Sequence, residues 1–420
     1  MDKLVIVGFG PGTLAQATGK ATEVLAGADQ VFSFDRISDV DPRIESLSLA
    51  DLKTRLANPL PGTTAVLVSG DCSFFSAAKT LMQDFAHLYE IELVPGIGSL
   101  QYFSACIRIS YDDATLISLH GRADNIVAVV AYNKKTFALT GGSNTVQSIC
   151  QDLAIAGLGA VSVSVGERLS YADEKLTTGS AAELGNLVFD QLAVMYIENL
   201  QARDPHQPLI DDDFVRGDVP MTKTEVRWLS VDKLGVAPQD TVYDIGAGTG
   251  SVAVELARKA YRGQVYAIEV NPQACDLIAQ NITRFGAYNL KVIYGEAPLA
   301  LADLPAPDKA FIGGSSGNLN TIMRALVVKN PDVKVVINAI SLQTLAEATQ
   351  LLDQYGFKGI EVVCVNIAKT RRLGNYDMMM AQNPVYIISG TAPGADSTTD
   401  AAPVKSDSKT EVDSVEVSHD

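Results

Sequence analysis

Short apolar runs alternate with longer amphipathic stretches through the first part of the chain. The runs "KLVIVG", "QVFSF" and "TAVLVSG" have the length and β-branched content of buried strands. Among and after them, "TGKATEVLAGA" and "FFSAAKTLMQDFAHL" repeat their apolar positions at the spacing of a helix. Strands that alternate with helices predict a parallel α/β sheet.

A second group of strands and helices follows and predicts a smaller α/β lobe. It contains the apolar runs "DATLISL", "NIVAVVAY", "KTFALTG" and "AVSVSVGERL", with a helix over about 145–156, and it ends in "NLVFDQLAVMYIEN". A third group, from "TVYDIGAGTG" through "QVYAIEVN" to "VKVVINAI", repeats strand, glycine turn and helix in register. That repetition predicts a doubly wound sheet whose ligand lies beyond the carboxyl ends of the strands.

The segment "QARDPHQPLIDDDFVR" separates the second group from the third. Its two prolines, its acidic triplet and its lack of periodicity are typical of a linker. The chain ends in "TAPGADSTTDAAPVKSDSKTEVDSVEVSHD", which has no aromatic residue, so we predict a disordered acidic tail. The predicted divisions are 1–200 with lobes of about 1–112 and 113–200, a linker over 201–215, a domain over 216–390 and the tail 391–420.

Composition limits the functions that the chain can have. With a formal charge of −16, it lacks the basic balance that nucleic-acid binding requires. No apolar run reaches the roughly 20 residues of a membrane span, and no signal peptide is recognised, so we expect a cytoplasmic protein without a membrane segment. The five cysteines are far apart and the four histidines have no partner at ligand spacing, so we expect neither disulfides nor a protein-held metal.

The strongest chemical signal follows the strand "TVYDI". Gly246, Gly248 and Gly250 occupy alternate positions, and a helix begins near Ser251. A dinucleotide loop needs Gly-x-Gly-x-x-Gly, and Ser251 stands where the last of these glycines would be. Glu269 ends the next strand, at the spacing where a carboxylate accepts hydrogen bonds from both hydroxyls of a ribose. The pattern therefore predicts a site for S-adenosylmethionine rather than for NAD.

Plainer interpretations stay open beside this one. The glycines could form only a tight turn, and Asp244 before them could cap the helix.

The segment "NPVY" at 383–386 resembles the Asn-Pro-Pro-Tyr motif of nucleic-acid N-methyltransferases. That motif belongs at the end of the fourth strand, where this chain has "KAFIGGSSG". We interpret "NPVY" as a turn that enters the final strand.

Across about 214–390 the sequence resembles the C15-methylating, decarboxylating subunit family of cobalamin biosynthesis. The resemblance is carried by "PMTKTEVR", "DIGAGTGSVAVE", "YAIEVN", "PDKAFIGGSSG" and "LGNYDMMMAQNPVY". It implies a Rossmann-like class I methyltransferase domain. By the same resemblance, the residues that contact S-adenosylmethionine are Thr222, Gly246, Ala247, Gly248, Thr249, Gly250, Glu269 and Ala297.

The N-terminal half resembles the tetrapyrrole methylase superfamily, and within it the C5-methylating subunit of the same pathway. "KLVIVGFGPGT", "LVSGDCSFF", "LVPGIGSLQ" and "ISLHGR" carry the resemblance. It implies a two-lobed class III methyltransferase fold that binds S-adenosylmethionine between the lobes. Some positions, among them Cys72 and Ser76, depart from the usual pattern, which leaves an altered active cleft and a degenerate corrinoid-binding module as alternatives. The implied cofactor-binding residues are Pro11, Gly70, Asp71, Gly98, Ser99 and Thr140.

A precorrin or cobalt-precorrin is the substrate that both resemblances imply. Its acetate and propionate groups are negatively charged, so an acidic chain needs local cations to bind them. Each candidate lysine or arginine could instead be an ordinary solvated charge. Thr222 and Lys223, which precede the glycine loop in the chain, are the hypothesised catalytic pair that closes over the cofactor and orients the acetate. The cations beside motifs are Arg36, Arg122, Lys223, Arg227, Lys369, Arg371 and Arg372. The expected substrate contacts are His120, Arg122, Arg227 and Arg371.

The order of the two halves resembles that of bifunctional enzymes of the pathway. The resemblance implies methylation of carbons 5 and 15 of the macrocycle, loss of the ring C acetate carboxylate, and assembly as a homo-oligomer. Two other interpretations remain. In one, only the C-terminal half is catalytic; in the other, the chain is an RNA methyltransferase, which the charge balance opposes.

Overall fold

The structure is a computed structural model that describes residues 2–35, 37, 40–119 and 125–394. Its strands form two five-stranded sheets, one seven-stranded sheet and one two-stranded sheet. The predicted α/β class is confirmed. The two five-stranded sheets contain the two strand groups of the first half, and the seven-stranded sheet contains the third group.

The first sheet is entirely parallel, in the order β3-β2-β4-β1-β5. Its central strand β4 is buried from Thr64 to Val68 and the neighbouring β1 from Leu4 to Gly8, because helices and loops cover both faces. The carboxyl ends of β1, β4 and β5 lie side by side at one edge. The elements are β1 (Lys3–Gly8), α1 (Gly19–Gly27), β2 (Gln30–Ser33), β3 (Ile44–Ser46), α2 (Leu49–Leu56), β4 (Thr63–Val68), α3 (Ala78–Phe85), β5 (Glu90–Val94) and α4 (Ser99–Ile107).

The second sheet is mixed, in the order β6-β7-β10-β8-β9, and only β6 and β7 are parallel neighbours. The helix predicted over 145–156 is present as α6, and it continues into a π-helical turn at Ala154–Leu158. The elements are β6 (Thr115–Ser118), α5 (Ile126–Tyr132), β7 (Lys135–Leu139), α6 (Val146–Leu153), β8 (Ser162–Glu167), β9 (Lys175–Ser180), α7 (Ala181–Leu184) and β10 (Ala193–Glu198).

The seven-stranded sheet has the order β13-β12-β11-β14-β15-β19-β16, and only β19 runs antiparallel to its neighbours. The chain order reverses between β11 and β14, and a doubly wound sheet binds its ligand at such a point. The elements are α8 (Thr224–Leu234), β11 (Thr241–Ile245), α9 (Ser251–Lys259), β12 (Gln264–Glu269), α10 (Pro272–Phe285), β13 (Leu290–Tyr294), β14 (Lys309–Ile312), α11 (Leu319–Lys329), β15 (Lys334–Ala339), α12 (Leu342–Gln354), β16 (Lys358–Val365), β17 (Ala368–Leu373), β18 (Tyr376–Ala381) and β19 (Val385–Thr391).

Two features differ from the sequence-based expectations. The hairpin β17–β18 was not predicted, and every residue of both its strands is exposed. The tail was predicted from 391, but β19 ends at Thr391 and the buried Ala392 donates its amide to the Val333 carbonyl, so these two residues belong to the seven-stranded domain. Residues 395–420 lie outside the described residues. Among the helices of the described part, none is long and apolar enough to cross a membrane.

The predicted linker packs on the seven-stranded domain. It contains a short 3-10 turn at Asp211–Asp213, and Leu209 and Phe214 are buried in the core beneath α8 and α9. The two halves also touch directly, since the Tyr132 hydroxyl at the end of α5 donates to the Phe285 carbonyl at the end of α10 over 3.0 Å. The halves are therefore joined by side-chain contacts as well as by the chain.

Candidate active site

The glycine loop between β11 and α9 brings backbone segments unusually close together. Gly246 and Gly248 have φ values of +72° and +56°. A Cβ atom at Gly246 would lie 2.7 Å from both the amide nitrogen and the carbonyl oxygen of Gly314. One at Gly248 would lie 2.7 Å from the Pro220 carbonyl oxygen. Only glycine fits both the torsion angles and the space at these positions.

A pocket of about 820 Å³ opens beyond the carboxyl ends of β11, β12 and β14, where the strand order reverses. Its volume is in the range of small-molecule sites. The segment Val219–Lys223, which we call the pocket wall, covers one side of it. The sequence-predicted residues that line the pocket are Thr222, Lys223, Gly246, Ala247, Gly248, Glu269 and Ala297.

The Glu269 carboxylate lines the pocket and also shapes the backbone around it. Its Oε2 accepts from the Gly248 amide at 2.7 Å, and its Oε1 accepts from the Val270 and Asn271 amides at 2.9 Å each. A carboxylate has about four acceptor positions, so these bonds leave capacity for a ligand. Glu269 therefore holds the glycine loop in place and can bind a hydroxyl at the same time.

Asp244 lies beneath the glycine loop and has no exposed surface. Neither of its carboxylate oxygens has a hydrogen-bond partner among the described residues. Burial raises the pKa of Asp244 to about 8, and the nearby Glu269 carboxylate adds to the rise. The N-cap of α9 is Gly250, so Asp244 does not cap this helix.

Arg227 does not contact the pocket, and this corrects a prediction. Its side chain has 0% exposure, and its guanidinium donates to the carbonyls of Thr222 and Leu209 at 2.9 and 2.8 Å. A direct substrate contact by Arg227 is incompatible with this burial. The sequence suggested substrate binding because an arginine beside a motif is usually exposed, whereas here the linker covers it.

The other predicted residues of this half lie around the pocket rather than in its lining. Thr249 is fully buried and Gly250 is the N-cap of α9. Arg371 is exposed on β17, opposite Met378 of β18, and is absent from the pocket lining. Its predicted substrate contact stays a prediction. Asn383 of "NPVY" does line the pocket, immediately before β19 begins at Val385.

In the first half, the loops after β1, β4 and β5 meet at one edge of the sheet. Gly10 and Gly70 exchange both backbone hydrogen bonds, at 3.1 and 2.7 Å. A Cβ atom at Gly8 would lie 2.7 Å from the Gly96 amide nitrogen, so the third loop is equally close. The predicted residues on these three loops are Pro11, Gly70, Asp71, Gly98 and Ser99, and Ser99 begins α4.

The Asp71 carboxylate ties two of these loops together. It accepts from the Ser73 amide at 2.8 Å and from the Gly96 amide at 3.1 Å. Partial burial tends to raise the pKa of Asp71, but the hydrogen bonds from Ser73 and Gly96 outweigh it, so the pKa is lowered. Thr140 lies in the second lobe, where its buried hydroxyl donates to the Ala193 carbonyl at 2.7 Å. His120, Arg122 and Arg36 lie outside the described residues.

A loop of the second lobe reaches the glycines after β1, and no motif of the sequence predicted this contact. The Thr13 hydroxyl donates to the Ser170 hydroxyl at 3.5 Å, and a Cβ atom at Gly12 would lie 2.7 Å from the Tyr171 hydroxyl oxygen. Arg168 and Ser170 have φ values of +47° and +69°, which non-glycine residues rarely adopt. Such strain is concentrated at functional sites, so this loop belongs to the candidate site of the first half.

Comparison with known proteins finds two families in the same order as the two halves. Residues 3–185 match the Tetrapyrrole (Corrin/Porphyrin) Methylases, and residues 213–391 match the Precorrin methyltransferase domain. A Sinorhizobium protein named precorrin-6Y C(5,15)-methyltransferase [decarboxylating] is 29% identical over 88% of this chain and 92% of its own length.

Two further relatives match less than half of this chain and nearly all of their own length. A probable cobalt-precorrin-6B C(15)-methyltransferase (decarboxylating) of Saccharolobus solfataricus is 38% identical over 44% of this chain and 96% of its own length. The crystal structure of a precorrin-6y C5,15-methyltransferase from Geobacter metallireducens is 38% identical over 44% of this chain and 96% of that chain, with a TM-score of 0.42.

Proposed function

The chain belongs to the precorrin methyltransferase family, and on that premise we propose that it methylates a precorrin or cobalt-precorrin at carbons 5 and 15. The first half acts at carbon 5, and the second half acts at carbon 15 and releases the ring C acetate carboxylate as carbon dioxide. The methyl donor at both sites is S-adenosylmethionine. One observation supports the second site above all: the Glu269 carboxylate lines the pocket beside the close-packed backbone of the glycine loop.

The residues present fit this donor, which supplies a methyl group on a positively charged sulfur. Glu269 would accept a hydrogen bond from a ribose hydroxyl at the acceptor position that the three backbone amides leave free. Gly246 and Gly248 let the loop pass beneath the ligand without side chains in the way. The pocket wall excludes water from the reacting atoms, which methyl transfer to a ring carbon needs more than a nucleophilic side chain.

Decarboxylation requires that the acetate carboxylate lose its solvation. Apolar side chains from the wall and from the strand ends line much of the pocket, including Val219, Ile245 and Ile268. In such surroundings the C–C bond to the carboxylate breaks more easily, and its electron pair passes into the macrocycle as carbon dioxide leaves. We infer that Thr222 and Lys223, both in the pocket lining, orient the acetate before this step.

For the first half we infer a donor site where the three loops meet. Pro11, Gly70, Gly98 and Ser99 would contact the donor, while Asp71 holds the loop after β4 against the loop after β5 by accepting from the Gly96 amide. The altered positions Cys72 and Ser76 lie in the loop that follows β4. Isothermal titration separates an active first site from a degenerate one: two donor molecules bound per chain support activity, and one supports a module without it.

Mass spectrometry of the product tests the whole proposal. The purified chain is incubated with a precorrin-6B-type substrate, with and without cobalt, and with excess S-adenosylmethionine. We expect a gain of two methyl groups and the loss of one carbon dioxide. In Glu269→Gln the carbon-15 methyl group should be missing while the carbon-5 methyl group is still added. An unchanged substrate with the wild-type chain would contradict the proposed function.

A further inference from the structure

We propose that Arg227 is a positioning residue for the second site, because it clamps the pocket wall to the linker that joins the two halves. By this inference, the linker is a working part of the methyl-transfer site rather than a passive connection. The inference rests on the proposed function of the second half. It replaces the substrate contact that the sequence predicted for Arg227.

The Arg227 guanidinium binds the wall and the linker through its two terminal nitrogens and through its planar face. Its Nη1 donates to the Thr222 carbonyl of the wall at 2.9 Å and to Asp211 Oδ1 of the linker at 3.2 Å. Its Nη2 donates to the Leu209 carbonyl of the linker at 2.8 Å. The guanidinium carbon also lies 4.6 Å from the centre of the Phe214 ring. The planar fork therefore fixes the wall relative to the linker in both distance and direction.

The wall in turn lies against the glycine loop. The Pro220 carbonyl is so close to Gly248 that a Cβ atom there would be 2.7 Å away. Thr222, whose carbonyl Arg227 holds, lines the pocket directly. A shift of the wall would consequently move both the pocket lining and the backbone that faces the donor.

A second buried side chain ties the linker to the same loop. The Asn281 amide on α10, fully buried, donates to the Val215 carbonyl at 2.9 Å and to the Thr249 carbonyl at 3.0 Å. Its Oδ1 accepts from the Val215 amide at 2.9 Å. Arg227 thus hydrogen-bonds the linker to the pocket wall, and Asn281 hydrogen-bonds it to the glycine loop.

Arg258 provides a matched control within the same cluster. It has 4% exposure, donates to Glu255 at 2.9 Å, and holds the linker carbonyls of Asp204 and Gln207 at 2.9 and 2.6 Å. Arg227 also faces Glu255, with 3.7 Å between its Nε and Glu255 Oε1. The two arginines share an anionic partner and a linker, but the hydrogen bonds described for Arg258 do not include the pocket wall. Replacing each with lysine keeps the charge and removes the fork.

The test compares full-length Arg227→Lys and Arg258→Lys with the wild-type chain. Carbon-15 methylation, carbon-5 methylation and binding of S-adenosylmethionine by isothermal titration are measured for each. We expect Arg227→Lys to lower kcat/KM at carbon 15 by about 10- to 100-fold, the loss typical of a misplaced binding element. The KM for the donor should rise and carbon-5 methylation should stay unchanged. Arg258→Lys should leave kcat/KM at carbon 15 within about threefold of wild type.

Fluorescence of Trp228, the only tryptophan of the chain, reports unfolding of α8 and separates misfolding from mispositioning. If Arg227→Lys does not fold, Asp211→Asn tests the same clamp, since it keeps the hydrogen-bonding shape and removes the charge. Equal losses in Arg227→Lys and Arg258→Lys, or an unchanged Arg227→Lys, would overturn the inference. If the wild-type chain binds the donor but transfers no methyl group to carbon 15, the proposed function fails. The role of Arg227 is then decided by comparing donor binding in Arg227→Lys and Arg258→Lys.

Discussion

Replacement of Gly246 by alanine should destabilise the second half, and the local geometry gives the size of the expected loss in unfolding free energy. With φ at +72°, an alanine there is in the left-handed region, which costs roughly 1–2 kcal/mol. The new Cβ atom would lie 2.7 Å from the Gly314 backbone, which cannot rotate away as a side chain can. Overpacking of this kind costs about 1–3 kcal/mol. Together the two effects predict a loss of roughly 2–5 kcal/mol.

A second glycine in the same half separates the two effects. Gly317 has φ at +81°, but nothing lies within 4 Å of the position that its Cβ atom would take. Gly317→Ala should therefore cost only the roughly 1–2 kcal/mol of backbone strain. Urea unfolding, monitored by the fluorescence of Trp228, measures the free energy of unfolding of the second half in both variants. Equal destabilisation of the two variants would refute the reasoning, because the close approach of Gly314 would then contribute nothing.

Three further outcomes are expected. The pKa of Asp244 rises from 3.8 to about 8 on folding, so its contribution to stability is complete below the lower value and is lost as the pH rises toward the higher one. Across this window the free energy of unfolding of the donor-free wild type should fall by up to about 1.4 kcal/mol per pH unit relative to that of Asp244→Asn. Urea unfolding measures both proteins, and the same pH dependence in both would contradict this prediction. Tyr132→Phe removes the hydroxyl that donates to Phe285 and should cost about 0.5–1.5 kcal/mol, seen in calorimetry as separation of the unfolding of the two halves; a single unchanged transition is the contrary result. Gly8→Ala places a Cβ atom 2.7 Å from the Gly96 amide and should abolish carbon-5 methylation while carbon-15 methylation continues, whereas wild-type rates at both carbons would show that the loops can move apart.

The sequence predicted those parts of the fold that depend on neighbouring residues. The strand that ends before Gly246 and the helix that begins at Ser251 are both present, because glycine torsions and apolar periodicity act over a few residues. The hairpin β17–β18 was not predicted because its strands are exposed. No face of them packs on a core, so their sequence lacks the alternation of apolar and polar residues that marks a half-buried strand. Its methionines and arginines carry no periodic signal of their own.

The candidate site was predictable where a motif marks it and not where distant residues meet. Glu269 and the pocket wall follow from their motifs, and both line the pocket. The burial of Arg227 depends on the linker folding back over α8, and the tie between Val215 and Asn281 spans 66 positions in the chain. Neither can be inferred from spacing, because the sequence gives no measure of which loop covers which helix. The contact of Tyr171 with the loop after β1 was missed for the same reason.

The direct contact between the halves has a consequence for how the protein is made. Tyr132 leaves the ribosome 153 residues before its partner Phe285. At about 5–20 residues per second, that delay is on the order of ten seconds, far longer than the folding time of many domains. The first half can therefore fold on the nascent chain while the linker still lacks Arg227 and Asn281. The carbon-5 site is then complete before the carbon-15 site exists, and the junction between them closes last.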